Sequence, residues 1–416
     1  MRRRNLIFTF VCVLAGTLMN MTDHVQAQGI DHVSLSGESV AEELRQSGVN
    51  QPYNLKLGPF SLRMEAGITT SYNDNINLSK TDTIGDFITT PSTTIHGLWQ
   101  VSDLNTVSFN LGIGYQTYLS HSEDNSILLS PDSEAQFNFF VGDVMFTVHD
   151  GFSYQQDPTQ IGQLSNTVRL QRFTNDFGIG AKWDLSSFVL SLDYDHTNFW
   201  VTNSLYDYLT NQSDTVTAKV SYNVDKSIQT GLSMSVSDTR YDQSFQNDNR
   251  NLSVGPFVTA TITKSLSLTG QVGGYFTNYD KGGSNGDSQD LSSYYFSLGI
   301  NHQITQSIRE SLTAGREFIP GLTTNYTERI YANYTLTWQA TTYLNAGANL
   351  LWENLNDSQG TVHETSERYG FGLSLNDSLT EHATLSLNYQ YLVKNANPSF
   401  LSYEQNLVTA GVNYQF

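Results

Sequence analysis

The stretch Val107-Ser-Phe-Asn-Leu-Gly-Ile-Gly-Tyr-Gln116 carries an apolar residue at every second position, with a small or polar residue between each pair. Successive side chains of a β-strand point to opposite faces, so this stretch presents one face to an apolar environment and the other to water. An amphipathic helix would need apolar residues three and four positions apart, and that spacing is absent. The pattern therefore predicts an amphipathic strand.

The same alternation recurs along the chain, for example at Leu62–Ile68, Ile330–Trp338 and Leu385–Tyr391. The polar positions are mostly Gly, Ser, Thr, Asn and Gln, whereas the outer face of a soluble sandwich would be expected to carry more charge. Only 38% of the residues are hydrophobic, which suits a barrel in lipid better than a soluble core. We therefore predict an all-β fold, a single transmembrane antiparallel up-and-down β-barrel over residues 60–416, closed by its first and last strands.

The connections between the predicted strands alternate in length. Short ones fall at 102–104, 142–143, 186–187, 225–227, 263–265, 306–307, 340–342 and 380–382; longer polar ones fall at 74–86, 121–132, 157–170, 202–213, 242–250, 281–290, 320–326, 357–366 and 396–403. Outer-membrane barrels have short periplasmic turns and long external loops. The connections indicate about 18 strands, and 16 is the alternative, since boundaries taken from pattern alone err by several residues. The weakest predicted strands lie near 87–101, which contains Pro91, and near 308–318.

Two segments precede the predicted barrel. Residues 1–27 have a basic start, an apolar stretch and the small-residue site Val25-Gln26-Ala27, which together predict a cleaved signal peptide. Residues 28–59 are predicted to be a short periplasmic segment with one helix near 39–48, capped by Ser39. The single cysteine, Cys12, lies in the predicted signal, so no disulfide is expected.

The last predicted strand keeps one register to the final residue. Its alternate positions are Val408, Ala410, Val412, Tyr414 and Phe416. This resembles the C-terminal signal of outer-membrane proteins, which implies the barrel assembly machinery as a partner and the cell outer membrane as the location. The other reading is a last strand that happens to end in Phe.

Composition and spacing narrow the function classes. The formal net charge of −19 would repel nucleic acid, and no basic patch offsets it. Asp195 and His196 are adjacent, so their side chains point to opposite sides of a strand. His96, His149 and His302 stand apart in the sequence. We therefore expect no enzyme activity, no cofactor and no metal site.

One loop has a composition that could bind a cation. The segment Gly282-Gly-Ser-Asn-Gly-Asp-Ser-Gln-Asp290 is rich in oxygen ligands but lacks the full EF-hand spacing and its final Glu. A solvated loop is the preferred interpretation.

Two motifs around the first strand resemble a family of outer-membrane β-barrel porins. They are Asn54-Leu-Lys-Leu-Gly-Pro-Phe60 and Tyr72-Asn-Asp-Asn-Ile-Asn-Leu78. The resemblance in motif covers about 25 residues and implies an outer-membrane barrel named a porin from its shape. Some relatives are associated with exopolysaccharide export. The resemblance carries no ligand residues to this chain.

The place of a residue in the two-residue alternation of its strand, here called its parity, predicts which face of the wall it takes. By this rule the charged residues that face the lumen or its rim are Arg63, Glu65, Arg172, Asp176, Lys182, Asp193, Asp195, Lys219, Arg329, Arg368 and Lys394. Charges of both signs occur there, either to orient solutes or as ion pairs that brace the wall. A barrel of 16–18 strands leaves an aqueous channel. The preferred function is a porin-like channel for small polar solutes, set in outer-membrane lipid and lipopolysaccharide. The alternatives are an exopolysaccharide export barrel and a surface scaffold or adhesin with functional acidic loops.

Overall fold

The computed structural model describes residues 53–102, 104–360 and 362–416, and its strands form one antiparallel sheet. The strands in chain order are β1 (Leu55–Leu57), β2 (Phe60–Asn73), β3 (Asp86–Gln100), β4 (Thr106–Tyr118), β5 (Ser126–Leu129), β6 (Glu134–Val141), β7 (Val144–Gln155), β8 (Arg172–Asp184), β9 (Phe188–Val201), β10 (Asn211–Asn223), β11 (Ile228–Tyr241), β12 (Asn249–Thr263), β13 (Leu266–Tyr279), β14 (Leu291–Gln303), β15 (Ile308–Pro320), β16 (Tyr326–Gln339), β17 (Leu344–Asp357), β18 (Thr365–Ser378), β19 (Ala383–Asn397) and β20 (Tyr403–Gln415).

The sheet closes on itself because β2 pairs with β20, from Glu65↔Gln415 to Asn73↔Leu407. The strand β1 forms only a short hairpin with β2, and β5 and β6 are two pieces of one wall strand. The described barrel therefore has 18 wall strands, which confirms the predicted fold class and strand count. Closure leaves no free edge in the wall. The predicted signal peptide and the helix near 39–48 lie outside the described residues.

Two irregularities follow from local chemistry. Pro91 lies inside β3, and the pairing with β4 skips Thr90 and Pro91 before it resumes at Ser92↔Gly114. Proline cannot donate a ladder hydrogen bond, so the ladder opens there while the strand continues. Between β5 and β6, the segment 130–133 folds over Gly112, whose missing side chain makes room because a Cβ there would lie 2.6 Å from the Cβ of Ser130.

The two faces of the wall differ as the alternation predicts. Large apolar side chains on the outer face are exposed, for example Leu192 at 56% and Ile113 at 48%. Trp99, Trp183 and Trp338 are also exposed and lie near strand ends, at the height expected for an interfacial girdle. Within the described part of the chain, no helix is long and apolar enough to span a membrane.

The short connections lie at one end of the barrel, here called the turn end, and the long ones at the other, the loop end. The three 3-10 helices that the structure describes, Ser122–Asp124, Asp207–Leu209 and Ser399–Leu401, belong to the loop end. The apolar cluster of Leu164, Leu170, Phe199, Val201 and Leu209 also lies there, inside the barrel mouth. The loops therefore carry their own packed core.

Candidate functional site: the barrel interior and its cross-barrel loop

The segment 156–171, here called the cross-barrel loop, leaves the wall between β7 and β8. Arg172 fixes its base: the guanidinium donates to the carbonyl of Asp157 at 2.9 Å and to the side chain of Gln160 at 2.6 Å. Arg172 is only 6% exposed, and four neighbouring oxygens accept its hydrogen bonds. A buried guanidinium with this many acceptors orders the loop where it leaves the strand.

The middle of the loop reaches the opposite wall of the barrel, built by β15 to β19. Lys394 Nζ donates to the carbonyl of Gln163 at 2.8 Å, and the guanidinium of Arg368 donates to the carbonyl of Thr159 at 3.0 Å. The Gln163 side chain in turn donates to Thr327 Oγ1 at 2.8 Å. Each of these wall residues lies on the face opposite to the exposed apolar one. The loop therefore crosses the inside of the barrel and narrows it.

Glycine is required where the loop meets this far wall. A Cβ on Gly162 would lie 2.4 Å from Nη1 of Arg368 and 3.1 Å from Leu355. The loop backbone lies close to the arginine at a residue without a side chain, so a larger residue here would displace the guanidinium. The contact of Gly162 with Arg368 thus sets how closely the loop approaches the far wall.

Charged side chains on the far wall form a chain of ion pairs. Arg329 bridges Glu317, at 2.6 Å, and Glu353, while Arg368 bonds the second oxygen of Glu353 at 2.7 Å. Glu353 and Arg368 are 2% and 5% exposed. Lys394, with no exposed surface, pairs with Glu364 at 2.7 Å. These opposite charges offset one another, so this wall presents little unbalanced charge.

The near wall, formed by β7 to β10, brings other predicted residues together. His149 Nε2 lies 3.4 Å from Asp195 Oδ1 and 3.8 Å from Asp176 Oδ2. His149 is therefore not isolated in space, although it is in the sequence. The inward residues Lys182 and Lys219 both stand in register with Ser191, one row from Asp193.

The remaining predicted pair lies toward the turn end. Arg63 and Glu65 on β2 form an ion pair with 3.0 Å between Nε and Oε1. The other oxygen of Glu65 accepts from Asn413 on β20 at 2.8 Å, so this pair straddles the seam that closes the barrel.

The acidic loop after β13 is not simply solvated, contrary to the preferred interpretation from sequence. Asn285 is fully buried and Asp287 is 4% exposed. Asp287 Oδ2 accepts from the amide of Asn325 at 3.0 Å and from Ser358 Oγ at 2.5 Å. Backbone amides and the Ser358 hydroxyl donate to its carboxylate oxygens, which gives this carboxylate a structural rather than a solvent-facing role.

Two ionisable residues of the loops, His121 and Tyr208, are also fixed by contacts with their neighbours. The side-chain hydrogen bond to Asp86 raises the pKa of His121, whose Nδ1 lies 2.7 Å from Asp86 Oδ2. Burial raises the pKa of Tyr208 to about 12, because its ring packs at 4.6 Å centroid distance against Phe245 of the next loop. Charge and packing together tie the loops to each other and to the wall.

Solved structures share this architecture. OccK2 (OpdF) of Pseudomonas aeruginosa aligns with a TM-score of 0.51 at 8% identity, over 86% of this chain and 98% of that chain. OpdQ of the same organism aligns at 0.50 and 10% identity, over 86% and 100%, and a BenF-like porin from Pseudomonas fluorescens Pf-5 at 0.50 and 9%, over 85% and 99%. This chain has the fold of outer-membrane porins. At such low identity the likeness extends to the fold and no further.

No protein-family model and no curated protein matches the sequence. The location follows from the wall itself: a closed antiparallel barrel with an apolar outer face and aromatic rims is built for an outer membrane. The predicted outer-membrane location is thereby confirmed.

Sequence reasoning missed the cross-barrel loop and the His149 cluster. The available signal for the loop was its set of apolar residues, Ile161, Leu164, Val168 and Leu170, of which Leu164 and Leu170 become fully buried. For the cluster there was none, because its members come from three strands and meet only through the register of the sheet.

Proposed function

We propose that this protein is an outer-membrane porin-like channel through which small polar solutes diffuse passively. The inner face of the wall would line the channel, and the eleven charged residues predicted from parity would lie along it or at its rim. The cross-barrel loop would form the narrowest part. The observation that carries this proposal is the loop itself, held across the barrel by Lys394 and Arg368.

The loop geometry favours a size filter over a tight binding site. A barrel of this strand number has an aqueous interior unless something fills it. Here the cross-barrel loop crosses that interior and is anchored on both walls, at Arg172 on one side and Arg368 on the other. An anchored loop gives a fixed constriction, which passes solutes according to size.

The charge pattern supports weak selectivity on the far wall. Arg329, Glu353 and Arg368 are engaged with one another, so their charges are largely cancelled locally. Charge segregated across a pore orients solutes, whereas paired charge does so weakly. We therefore expect broad permeation by small neutral and charged solutes.

The decisive experiment is single-channel recording of the full barrel in planar lipid bilayers. The wild type should give steady conductance steps. A variant in which residues 158–168 are replaced by a short Gly-Ser linker should give clearly larger steps, because the constriction is removed. Liposome swelling with sugars of increasing size should show a higher size limit for the same variant.

The matched control replaces Ser204 and Leu205, two exposed residues of a neighbouring loop, by glycine. Its conductance should equal that of the wild type. Absence of conductance in both the wild type and the linker variant would overturn the channel proposal. Loss of surface polysaccharide on gene deletion would then favour export, and loss of partner binding on loop deletion would favour a scaffold.

A further inference from the structure

We propose that His149, Asp176 and Asp195 form a binding site for a zinc-like divalent transition-metal cation on the inner wall of the barrel. The three side chains project from β7, β8 and β9, on the face opposite to the apolar one. This site is separate from the cross-barrel loop contacts and does not depend on what passes through the channel.

The spacing of the donor atoms suits one small cation. One nitrogen and two carboxylate oxygens lie within 4.8 Å of one another, with His149 Nε2 at 3.4 Å from Asp195 and 3.8 Å from Asp176. Ligands of a tetrahedral zinc ion at about 2.0–2.1 Å stand roughly 3.4 Å apart. To bind a cation, the distance from His149 to Asp195 needs almost no change, and the distance from His149 to Asp176 must shorten by a few tenths of an ångström. A donor set of imidazole and carboxylate is one that zinc and its neighbours accept.

Gly178 creates the space for this cluster. It stands between His149 and Asp195 in the register of the sheet. A Cβ at position 178 would lie 2.2 Å from the His149 ring and 2.4 Å from Asp195 Oδ1. The imidazole and the carboxylate can lean toward each other only over a glycine. The neighbours of the cluster thus leave a hollow that any other residue would fill.

Asp195 supplies the independent sign of a missing ligand. Its side chain is 9% exposed, and its Oδ2 is buried without a hydrogen-bond partner. A buried carboxylate oxygen without a partner is costly unless a cation neutralises it. Oδ1 is the oxygen nearest His149, so a metal ion bound by both oxygens of this carboxylate would satisfy Oδ2 as well.

A hydrogen bond to Asp176 and the exposure of the cluster to the barrel interior also favour a cation site. Thr197 Oγ1 donates to Asp176 Oδ1 at 2.8 Å, which leaves Oδ2 of that carboxylate on the side of the histidine. Such a hydrogen bond orients a metal ligand. His149 and Asp176 keep 24% and 27% of their side chains exposed, so a cation can arrive from the interior, and water can complete its coordination.

The test uses the full barrel, folded in detergent and stripped with a chelator, in equilibrium dialysis against zinc chloride. We expect one tightly held zinc per chain. His149→Asn should abolish this binding, and Asp195→Asn should weaken it by at least about tenfold, since loss of an outer-shell partner alone costs 10–100-fold. Binding of cobalt(II) should give the intense visible absorption of a low-coordinate site in the wild type and lose it in both variants.

The matched control is Asp214→Asn. Asp214 pairs with His196 at 2.8 Å on the outer face, so it removes a carboxylate from a His–Asp pair of the same region without touching the cluster. Zinc binding should be unchanged in this variant. Heat-modifiable migration in gels checks that every variant is folded.

If Asp195→Asn fails to fold, Asp176→Asn serves as the second variant with the same expected loss. The proposal is overturned if the wild type binds no zinc, or if the His149 and Asp195 variants bind it as the wild type does. In that case the cluster is an ion pair of protonated histidine with two carboxylates.

Discussion

Removing the carboxylate of Glu353 should destabilise the barrel strongly, and the structure gives the size of the effect. Glu353 is 2% exposed and accepts hydrogen bonds from both Arg329 and Arg368. In Glu353→Gln, both guanidinium groups would keep their positive charge while losing the shared anion. Breaking a buried pair by removing one partner costs about 3–5 kcal/mol.

We expect about 3 kcal/mol for this variant, the lower end of that range, because the amide oxygen can still accept one hydrogen bond. The matched control is Glu317→Gln on the same chain of ion pairs. Glu317 is 27% exposed and bonds Arg329, which keeps Glu353 as a second partner, so its loss should cost about 1 kcal/mol, the upper end for exposed pairs. The contrast between the two variants reports the burial of Glu353 together with its second arginine partner, since residue type and substitution are the same.

The assay is equilibrium unfolding by urea of the barrel in lipid vesicles, followed by tryptophan fluorescence. The free energy of unfolding should fall much more for Glu353→Gln than for Glu317→Gln. Single-channel current should also become noisier for the Glu353 variant, because Arg368 holds the cross-barrel loop at the Thr159 carbonyl. Equal destabilisation by the two substitutions would refute the reasoning that burial of the shared anion stabilises this wall.

Three further outcomes are expected. Gly162→Val should displace the cross-barrel loop, at a cost of about 1–3 kcal/mol from overpacking against Arg368, and should appear as conductance steps of altered size in bilayer recordings. Asp287→Ala should leave the loop network short of an acceptor and speed proteolytic cleavage at the loop end, while the heat-modifiable barrel persists. For His121 the folded pKa is raised, so its hydrogen bond with Asp86 stabilises the loop below the unfolded value near 6.5, and this stabilisation is lost as pH rises through the folded pKa; NMR titration of the ring should show that raised value, and Asp86→Asn should return it toward 6.5.

The wall could be predicted from the sequence because its rule is local. In β16, each residue from Arg329 to Trp338 takes the face that its parity dictates, and a closed sheet repeats that rule on every strand. Even Pro91, which weakened the predicted strand near 87–101, interrupts only the ladder to β4. The turns between strands likewise lie where the sequence predicts short connections.

The interior could not be predicted, because its contacts join residues far apart in the chain. Arg368 meets Thr159 across 209 positions, and Lys394 meets Gln163 across 231. Parity places Arg368 and Lys394 on the inner face, but it does not predict which loop carbonyl each side chain contacts. The His149 cluster depends on the register of three strands, where a shift by one residue would send each side chain to the other face.

The inward charged residues therefore have two different roles, support of the cross-barrel loop and binding of a cation. Their alternation in the sequence does not distinguish these roles. On the far wall, Glu353 and Arg368 hold each other and the cross-barrel loop, so a substitution there should change stability and pore size together. On the near wall, His149 and Asp195 make no contact with that loop in the described hydrogen bonds and ion pairs, so a substitution there should change cation binding while pore size stays constant. Measured side by side, unfolding free energy, conductance and zinc affinity should thus sort the inward charges into a structural group and a ligand group. This division follows which wall each residue occupies, except at Arg172, which anchors the cross-barrel loop from the near wall.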